Sequence, residues 1–223
     1  MDPDLEKQEE YNLIFYIFML DDKCKQCRAV GEKLFLKGER CFTPKCALVR
    51  RGFPAIGQQK RRRRITAYGK QLMEKQRARL AYGIGEQQFR RYVKLAFKKT
   101  TATPEALAQL LENRFDNIIF RLGLVPSRTM ARQLVSHGHF LLNGRKHNIA
   151  STILKKGDVV SIRPQSMNKQ PFKDVKETIK KYNPPKHLQL DQSKLEGKVI
   201  AEPDIKELQL PFDFTSIIEF YSK

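Results

Sequence analysis

The sequence lacks a run of apolar residues long enough to cross a membrane, which takes about 18 of them. The apolar run at residues 13–20 is short and follows an acidic segment, unlike a signal peptide. No pair of residues stands out as a catalytic dyad, and the four histidines are scattered. We therefore expect no enzyme activity, no membrane partner and no small-molecule substrate, and a location in the cytosol or an organelle.

Acidic residues are scarce in one long part of the chain. Residues 23–99 contain 23 Lys and Arg but only four Asp and Glu, which gives them a net charge of +19. This equals the net charge of the whole chain of 223 residues. A polyanion is the expected partner, and nucleic acid is commoner than a membrane surface for charge spread over a folded domain. Residues 1–22 are instead acidic and then apolar. They are expected to form an amphipathic extension. The alternative is that translation starts at Met19, so that residues 1–18 are not part of the protein.

Cysteine is limited to four residues close together: Cys24, Cys27, Cys41 and Cys46, spaced C-x2-C-x13-C-x4-C. Two close pairs fit one tetrahedral structural zinc ion that folds a segment too short for its own core. The alternatives are an iron–sulfur cluster, disulfides, which a cytosolic chain disfavours, and unligated thiols. Four cations lie in the loop between the pairs. They favour a nucleic-acid role for the cysteine-bearing segment, which would be a zinc knuckle if it holds the ion.

Carboxylates are absent from residues 127–146. Ser127 can cap a short helix that Gly138 ends, and Asn143-Gly144 favours a tight hairpin turn after a strand at residues 140–142. The remaining face carries Arg128, Arg132, His137, His139, Arg145 and Lys146. A solvated helix face beside an ordinary hairpin is the alternative, but such faces usually mix both signs of charge. The pattern therefore favours phosphate binding.

Helical patterns dominate the chain between residues 68 and 122. Residues 68–99 predict two helices broken near residues 83–85, Pro104 begins the next helix, and Gly123 ends another. Arg114 and Arg121 lie in the helical segment that Gly123 ends, and their side chains are predicted to point toward solvent. The expected core residues of residues 68–99 are Leu72, Met73, Leu80, Phe89, Tyr92, Val93, Ala96 and Phe97.

The last third of the chain predicts a strand near residues 159–163 and then a change of character. Residues 167–223 are nearly neutral and carry prolines. One helix is expected around residues 172–182, and extended apolar segments at 208–212 and 217–221. This part is expected to pack on other protein.

Eight segments together resemble one known family. In chain order they are GEKLFLKGERC, TPKCALVRR, YGKQLMEKQRARLAYGIGEQQFRRY, ENRFDNIIFRLGL, SRTMARQLVSHGHFLLNGRKHNI, GDVVSIR, KLEG and IIEFYSK. They strongly resemble the small-subunit ribosomal protein four family (the universal S-four family) of bacteria and organelles, over about residues 22–223.

The resemblance implies an α+β fold. A mainly helical first domain with an N-terminal zinc knuckle would carry an inserted S-four-type RNA-binding domain, in which helices pack on a small antiparallel sheet. The expected domains are an atypical extension at 1–22, a basic zinc-knuckle and helical domain at 23–104, the RNA-binding domain at 105–166, and a C-terminal segment at 167–223 that packs back on the first domain and on protein neighbours.

The implied function is structural. Members of the family bind small-subunit rRNA as primary binders, nucleate assembly of the subunit body, contact small-subunit ribosomal protein five and influence decoding accuracy. They also lie beside the channel by which mRNA enters, and that role carries over here only to the cluster of Arg61, Arg62, Arg63 and Arg64, because the preceding turn departs from the family pattern. Some members have four zinc-ligating cysteines and others have none; this chain has all four.

The residues expected to contact rRNA are the cations and polar residues of the two basic regions. They are Arg28, Lys33, Lys37, Arg40, Lys45, Arg50, Arg51, Lys70, Lys75, Arg77, Arg79, Arg90, Arg91, Arg114, Arg121, Ser127, Arg128, Arg132, His137, His139, Asn143, Arg145 and Lys146. An RNA-modifying enzyme or accessory factor with the same RNA-binding module is the main alternative, although no segment is long enough for a catalytic domain. A DNA-binding zinc protein is a third.

Overall fold

The structure is a computed structural model that describes residues 23–51, 66–99, 101–172, 175–180 and 182–222. The expected extension at 1–22 and the arginine cluster at 61–64 lie outside the described residues. The chain divides into two compact units between residues 64 and 65. Each unit is considered by itself.

The described residues of the first unit, 23–51, have little regular structure. Its elements are helix α1 (Lys23–Val30), a 3-10 turn (Gly38–Cys41) and helix α2 (Ala47–Arg51). Among its described residues, the buried apolar side chains are three leucines and three cysteines: Leu34, Leu36, Leu48, Cys27, Cys41 and Cys46. These few side chains make a small core within residues 23–51, as expected of a segment this short.

The second unit begins with five helices: α3 (Ala67–Ala81), α4 (Glu86–Phe97), α5 (Thr103–Glu112), α6 (Phe115–Arg121) and α7 (Arg128–Ser136). The predicted break near residues 83–85 is confirmed, because α3 ends at Ala81 and α4 begins at Glu86. The predicted Pro104 start is confirmed as well, since the proline lies in the first turn of α5, where its missing N–H costs nothing.

One antiparallel sheet follows the helices. Its strands are β1 (Phe140–Leu142), β2 (Arg145–Lys146), β3 (Val159–Ile162), β4 (Leu188–Asp191) and β5 (Glu196–Val199), in the spatial order β2-β1-β3-β5-β4. The hairpin turn is confirmed by positive φ angles at Asn143 (50°) and Gly144 (78°). Strands β4 and β5 were not predicted, and they extend the sheet beyond residue 166. The domain bounds themselves stay a prediction.

The C-terminal part adds three helices: α8 (Val175–Lys180), α9 (Ile205–Leu208) and α10 (Phe214–Ser222). The prediction of an extended segment at residues 217–221 is wrong, because these residues lie in α10. Phe214, Ile217 and Tyr221 recur three and four positions apart, so they share one helix face. That face packs against α3 and α5.

Two hydrophobic cores lie inside the second unit. In one, α6 and α7 cover the sheet through residues such as Phe115, Val135 and Phe140. In the other, α3, α4, α5 and α10 meet around Phe89 and Leu107. The arrangement of helices with a small antiparallel sheet confirms the α+β prediction.

The expected core of residues 68–99 is partly confirmed. Phe89 and Tyr92 are buried, at 0% and 2% exposure. The predicted burial of Met73 and Phe97 is wrong, because their exposed fractions are 45% and 47%. Phe97 is the last residue of α4, so its side chain projects beyond the face that α5 covers.

Candidate nucleic-acid interface

The stretch at residues 127–146 has the local structure that its sequence predicts. The Ser127 hydroxyl accepts a hydrogen bond from the Met130 N–H at 3.3 Å and caps α7. Gly138 follows the helix with a φ of +71°, the left-handed conformation that favours glycine. Because Ser127 is buried and bonded to its own helix, it serves as a cap rather than as a surface contact.

Arg128 and Arg132 are only half exposed, and both have partners inside the protein. The Nε of Arg128 donates to the Asn117 Oδ1 at 2.7 Å, and its guanidinium lies 4.6 Å from the centre of the Phe120 ring. Arg132 donates to the Asp116 carboxylate at 3.1 Å and to the carbonyl of Gly83. The stretch has no carboxylate of its own, but α6 supplies one. Sequence reasoning missed it because the partner lies 16 residues earlier in the chain.

Glu112 is the centre of a buried polar network at the end of α5. Its carboxylate accepts two hydrogen bonds from Arg121, at 2.9 and 3.0 Å, and one each from the Tyr82 hydroxyl at 2.5 Å and the Asn117 amide at 2.8 Å. Burial alone would raise the pKa of Glu112, but Arg121 and Arg128 lower it from 4.5 to about 2. The carboxylate is therefore ionised at neutral pH, and it fixes the guanidinium of Arg121.

The predicted outward position of Arg114 is wrong. Its side chain is 1% exposed, and it forms a two-pronged ion pair with Asp116 at 3.0 and 2.7 Å, while it donates to the Tyr92 hydroxyl at 2.6 Å. Arg121 is half buried against Glu112 rather than directed outward. An arginine buried in this way orients α6 and offers no donor to a phosphate in solvent.

The predicted surface positions of Lys75 and Arg79 are also wrong, since each is 3% exposed. Lys75 pairs with Glu86 at 3.1 Å, and its ammonium lies 4.7 Å from the centre of the Phe220 ring of α10. Burial lowers the pKa of Lys75, and Glu86 opposes that effect. The cause is the C-terminal helix, which covers this side of α3 and was not predicted.

Other predicted contact residues are accessible. In the first unit, Arg28 is half buried and the exposed ones are Lys33, Lys37, Arg40, Lys45, Arg50 and Arg51. In the second unit, Arg77 and His139 are half buried and the exposed ones are Lys70, Arg90, Arg91, His137, Asn143, Arg145 and Lys146. The Asn143 amide group is engaged with β3, because its oxygen accepts from the Val159 N–H at 2.9 Å. That any of these residues contacts RNA stays a prediction.

The structure brings five of these cations together in the first unit. They line a pocket of about 240 Å³: Lys37, Arg40, Lys45, Arg50 and Arg51. Cys24 is also part of its wall. A concave surface with five cations and no lining carboxylate suits a phosphate group.

The four cysteines are free thiols, and three of them are buried. Burial raises the pKa of the Cys27 thiol, a backbone N–H of Leu34 lowers it, and the neighbouring Cys41, Cys24 and Cys46 raise it again. The thiols are therefore close enough to interact. Among the described residues, however, no group of three or more His, Cys, Asp and Glu side chains has the arrangement of a metal site.

Comparison with known proteins links both units to one kind of protein. The family model described as "Ribosomal protein S4/S9 N-terminal domain" matches residues 19–112, and the model described as "S4 domain" matches residues 114–160. The chain is 46% identical over 200 residues to "Small ribosomal subunit protein uS4" of Halothermothrix orenii and of Kosmotoga olearia. Each alignment covers 90% of this chain and 96% of the relative.

A third relative, "Small ribosomal subunit protein uS4A" of Alkaliphilus metalliredigens, is 46% identical over 203 residues, which are 91% of this chain and 98% of the relative. The matches thus cover the cysteine-bearing unit as well as the helices and the hairpin. In the part of the chain that the structure describes, no helix has the length and apolar character needed to cross a membrane.

Proposed function

We infer that the chain, which belongs to the uS4 family of small ribosomal subunit proteins, is a structural component of the small ribosomal subunit that binds rRNA and is not an enzyme. The observation that carries this conclusion is 46% identity over 90% of the chain to proteins of that name. The alternative of an RNA-modifying enzyme has no comparable support, because the relatives are ribosomal proteins and the alignments cover 96% and 98% of their length.

The exposed cations suggest how the chain binds rRNA. Lys and Arg on the surface of both units neutralise phosphates, and this contribution to binding falls as salt rises. The buried arginines and Lys75 have a different task, because they hold helices in place through internal carboxylates. Shape and 2′-hydroxyl contacts would then supply selectivity for folded RNA.

Finer features of the family extend the proposal. The chain would nucleate assembly of the subunit body, contact small-subunit ribosomal protein five, and lie near the channel by which mRNA enters, with the cluster at residues 61–64 facing it. It would thereby influence translational accuracy. Their support is the resemblance and family membership, together with the charge of that cluster.

A structural zinc ion is the second part of the proposal. Cys24, Cys27, Cys41 and Cys46 would hold it, and four thiolates supply the tetrahedral sulfur set that zinc prefers. The support is the pairwise spacing and the electrostatic interaction of Cys27 with the other three thiols. When bound, the ion would cross-link α1 to the segment before α2 and compensate for the small core. An iron–sulfur cluster remains the alternative.

Elemental analysis of the purified full chain tests the metal. We expect close to one zinc per chain, and loss of the zinc together with the helical signal of this unit when Cys41 is replaced in Cys41→Ser. Iron in place of zinc would support the cluster, and no metal in protein purified without chelator would contradict both.

Binding to nucleic acid across a salt series tests the main function. We expect the full chain to bind small-subunit rRNA fragments and duplex DNA at low salt, with affinity for both falling steeply as salt rises, and only rRNA binding to persist at higher salt. Equal affinity for duplex DNA and rRNA at every salt concentration would contradict the proposal.

A further inference from the structure

Two phenylalanine rings lie stacked on the surface of the first unit. The centres of the Phe35 and Phe42 rings are 5.0 Å apart and their planes differ by 26°. Phe42 is 74% exposed and Phe35 is 40% exposed. An isolated exposed apolar side chain is ordinary, but these two rings stack on each other outside the core and leave the outer face of Phe42 open to a further planar group.

The backbone directs Phe35 outward. Leu34 and Leu36 on either side of it are both buried, at 6% exposure, while Phe35 has a φ of 53°. This left-handed conformation is unusual for a bulky residue that is not glycine, and such outliers collect at functional sites. The local fold therefore holds the ring at the surface although a relaxed backbone would not favour it.

Positive charge surrounds the ring pair along the chain. The 3-10 turn between the two rings contains Arg40, and Lys37 precedes it. Both cations line the pocket of about 240 Å³ described above, together with Lys45, which follows Phe42 by three residues. Only Glu32 and Glu39 oppose six exposed cations between residues 31 and 51.

A flat aromatic surface beside a cationic pocket has the two features that bind a single-stranded nucleotide. Unpaired bases stack on aromatic side chains, and nearby Lys and Arg neutralise the phosphates of the same strand. A paired base cannot stack in this way, because both of its faces are covered by its neighbours in the helix. An apolar side chain of another protein could also pack on the exposed ring, but such a contact would make no use of the five cations that line the pocket.

We propose that Phe35 and Phe42 form a stacking platform for an unpaired base of rRNA, whose flanking phosphate lies in the pocket of Lys37, Arg40 and Lys45. This site rests on the proposed rRNA-binding function and adds to it a class of ligand, a single-stranded nucleotide, for the cysteine-bearing unit. Phe42 is the more exposed ring and makes the larger contact with the base.

The chain contains no tryptophan, so the fluorescence of a single introduced tryptophan would report stacking at its own position. Phe42→Trp in the full chain places a single indole at the platform, and Phe97→Trp is the matched control. Phe97 is 47% exposed and is also flanked by lysines, at Lys94 and Lys98, but no ring stacks on it among the described residues. The probes are a single-stranded adenosine-rich RNA and a duplex RNA with the same number of phosphates.

We expect the single-stranded RNA to quench the emission of Phe42→Trp strongly and the duplex to quench it little, while Phe97→Trp responds weakly to both. Quenching of Phe42→Trp by the duplex to the same extent would overturn the proposal, since charge alone would then bring RNA to this surface.

Affinity for small-subunit rRNA gives the second measurement. Phe42→Ala and Phe42→Leu should each bind about 5- to 150-fold more weakly, the range for one stacked base, and Phe42→Tyr should bind like the unaltered chain. Because Phe42 is so exposed, these variants keep the fold, which circular dichroism verifies. Unaltered affinity in Phe42→Leu would refute base stacking, and a defect confined to assembly with other ribosomal proteins would assign the platform to a protein. If the unaltered chain fails to bind rRNA, the proposed function itself is wrong.

Discussion

Replacement of Glu112 tests whether the buried polar network holds the helices together. In Glu112→Gln the ionised carboxylate is lost, while the half-buried Arg121 and Arg128 keep their charge and lose their partner. Removal of one member of a buried ion pair costs about 3–5 kcal/mol of unfolding free energy, because the other charge is left without compensation. We expect a loss in this range at pH 7, measured by urea denaturation of the full chain.

The pH dependence gives an independent check on the magnitude. The pKa of Glu112 is lowered from 4.5 to about 2 on folding, which corresponds to about 3 kcal/mol of stability. Because the folded-state pKa is the lower one, this contribution is complete above the unfolded pKa near 4.5 and is lost as the pH falls toward 2. The stability difference between the unaltered chain and Glu112→Gln should therefore shrink by about 2 kcal/mol between pH 6 and pH 3.

A control on the same helix separates this effect from the loss of any carboxylate. Glu105 is exposed at the start of α5, so Glu105→Gln should change stability by no more than about 0.5 kcal/mol. A loss of less than about 1 kcal/mol in Glu112→Gln, or a stability difference from the unaltered chain that stays constant with pH, would show that the ionised Glu112 does not hold the helices together.

Three further substitutions probe other contacts of the second unit. Tyr221→Phe removes a 2.7 Å hydrogen bond to Glu86 and should cost about 1–3 kcal/mol in a urea titration; no change would show that α10 is held by apolar packing alone. Gly197→Ala places a Cβ 2.2 Å from the Leu122 side chain, so we expect a loss of about 1–3 kcal/mol in thermal unfolding, and a neutral result would mean that β5 shifts away from α6. Asn143 has a φ of 50°, and its side-chain oxygen accepts a hydrogen bond from the N–H of Val159, the first residue of β3. Asn143→Ala removes this hydrogen bond, so the Val159 amide should exchange its hydrogen faster, measured by NMR. Unchanged exchange would contradict the role of the side chain in closing the sheet.

Local features of the candidate site could be predicted from the sequence. Ser127, Gly138 and the turn at Asn143 act on groups within four residues of themselves, so short patterns determine them. Several helices were predicted in the same way from helical periodicity, whereas the α+β class was implied by the family resemblance. The resemblance added the order of the parts, which no local pattern contains.

The roles of the arginines could not be predicted in this way. Arg114 and Arg132 look like surface cations in a helical pattern. Tertiary packing instead buries Arg114 beside the Tyr92 hydroxyl of α4, and the packing of α7 on α6 brings Arg132 to Asp116. Lys75 is covered by a helix that begins more than a hundred residues later. Whether a cation faces solvent or an internal carboxylate depends on tertiary packing, and charge counting along the chain does not record it.

Mass spectrometry of purified small ribosomal subunits after a high-salt wash tests directly whether the chain is a structural component of the subunit. We expect the chain to stay with the subunit in the same molar amount as the other small-subunit proteins, because it is a structural component bound to rRNA. Its absence from washed subunits, or its recovery only in the free protein fraction, would contradict a structural role in the subunit.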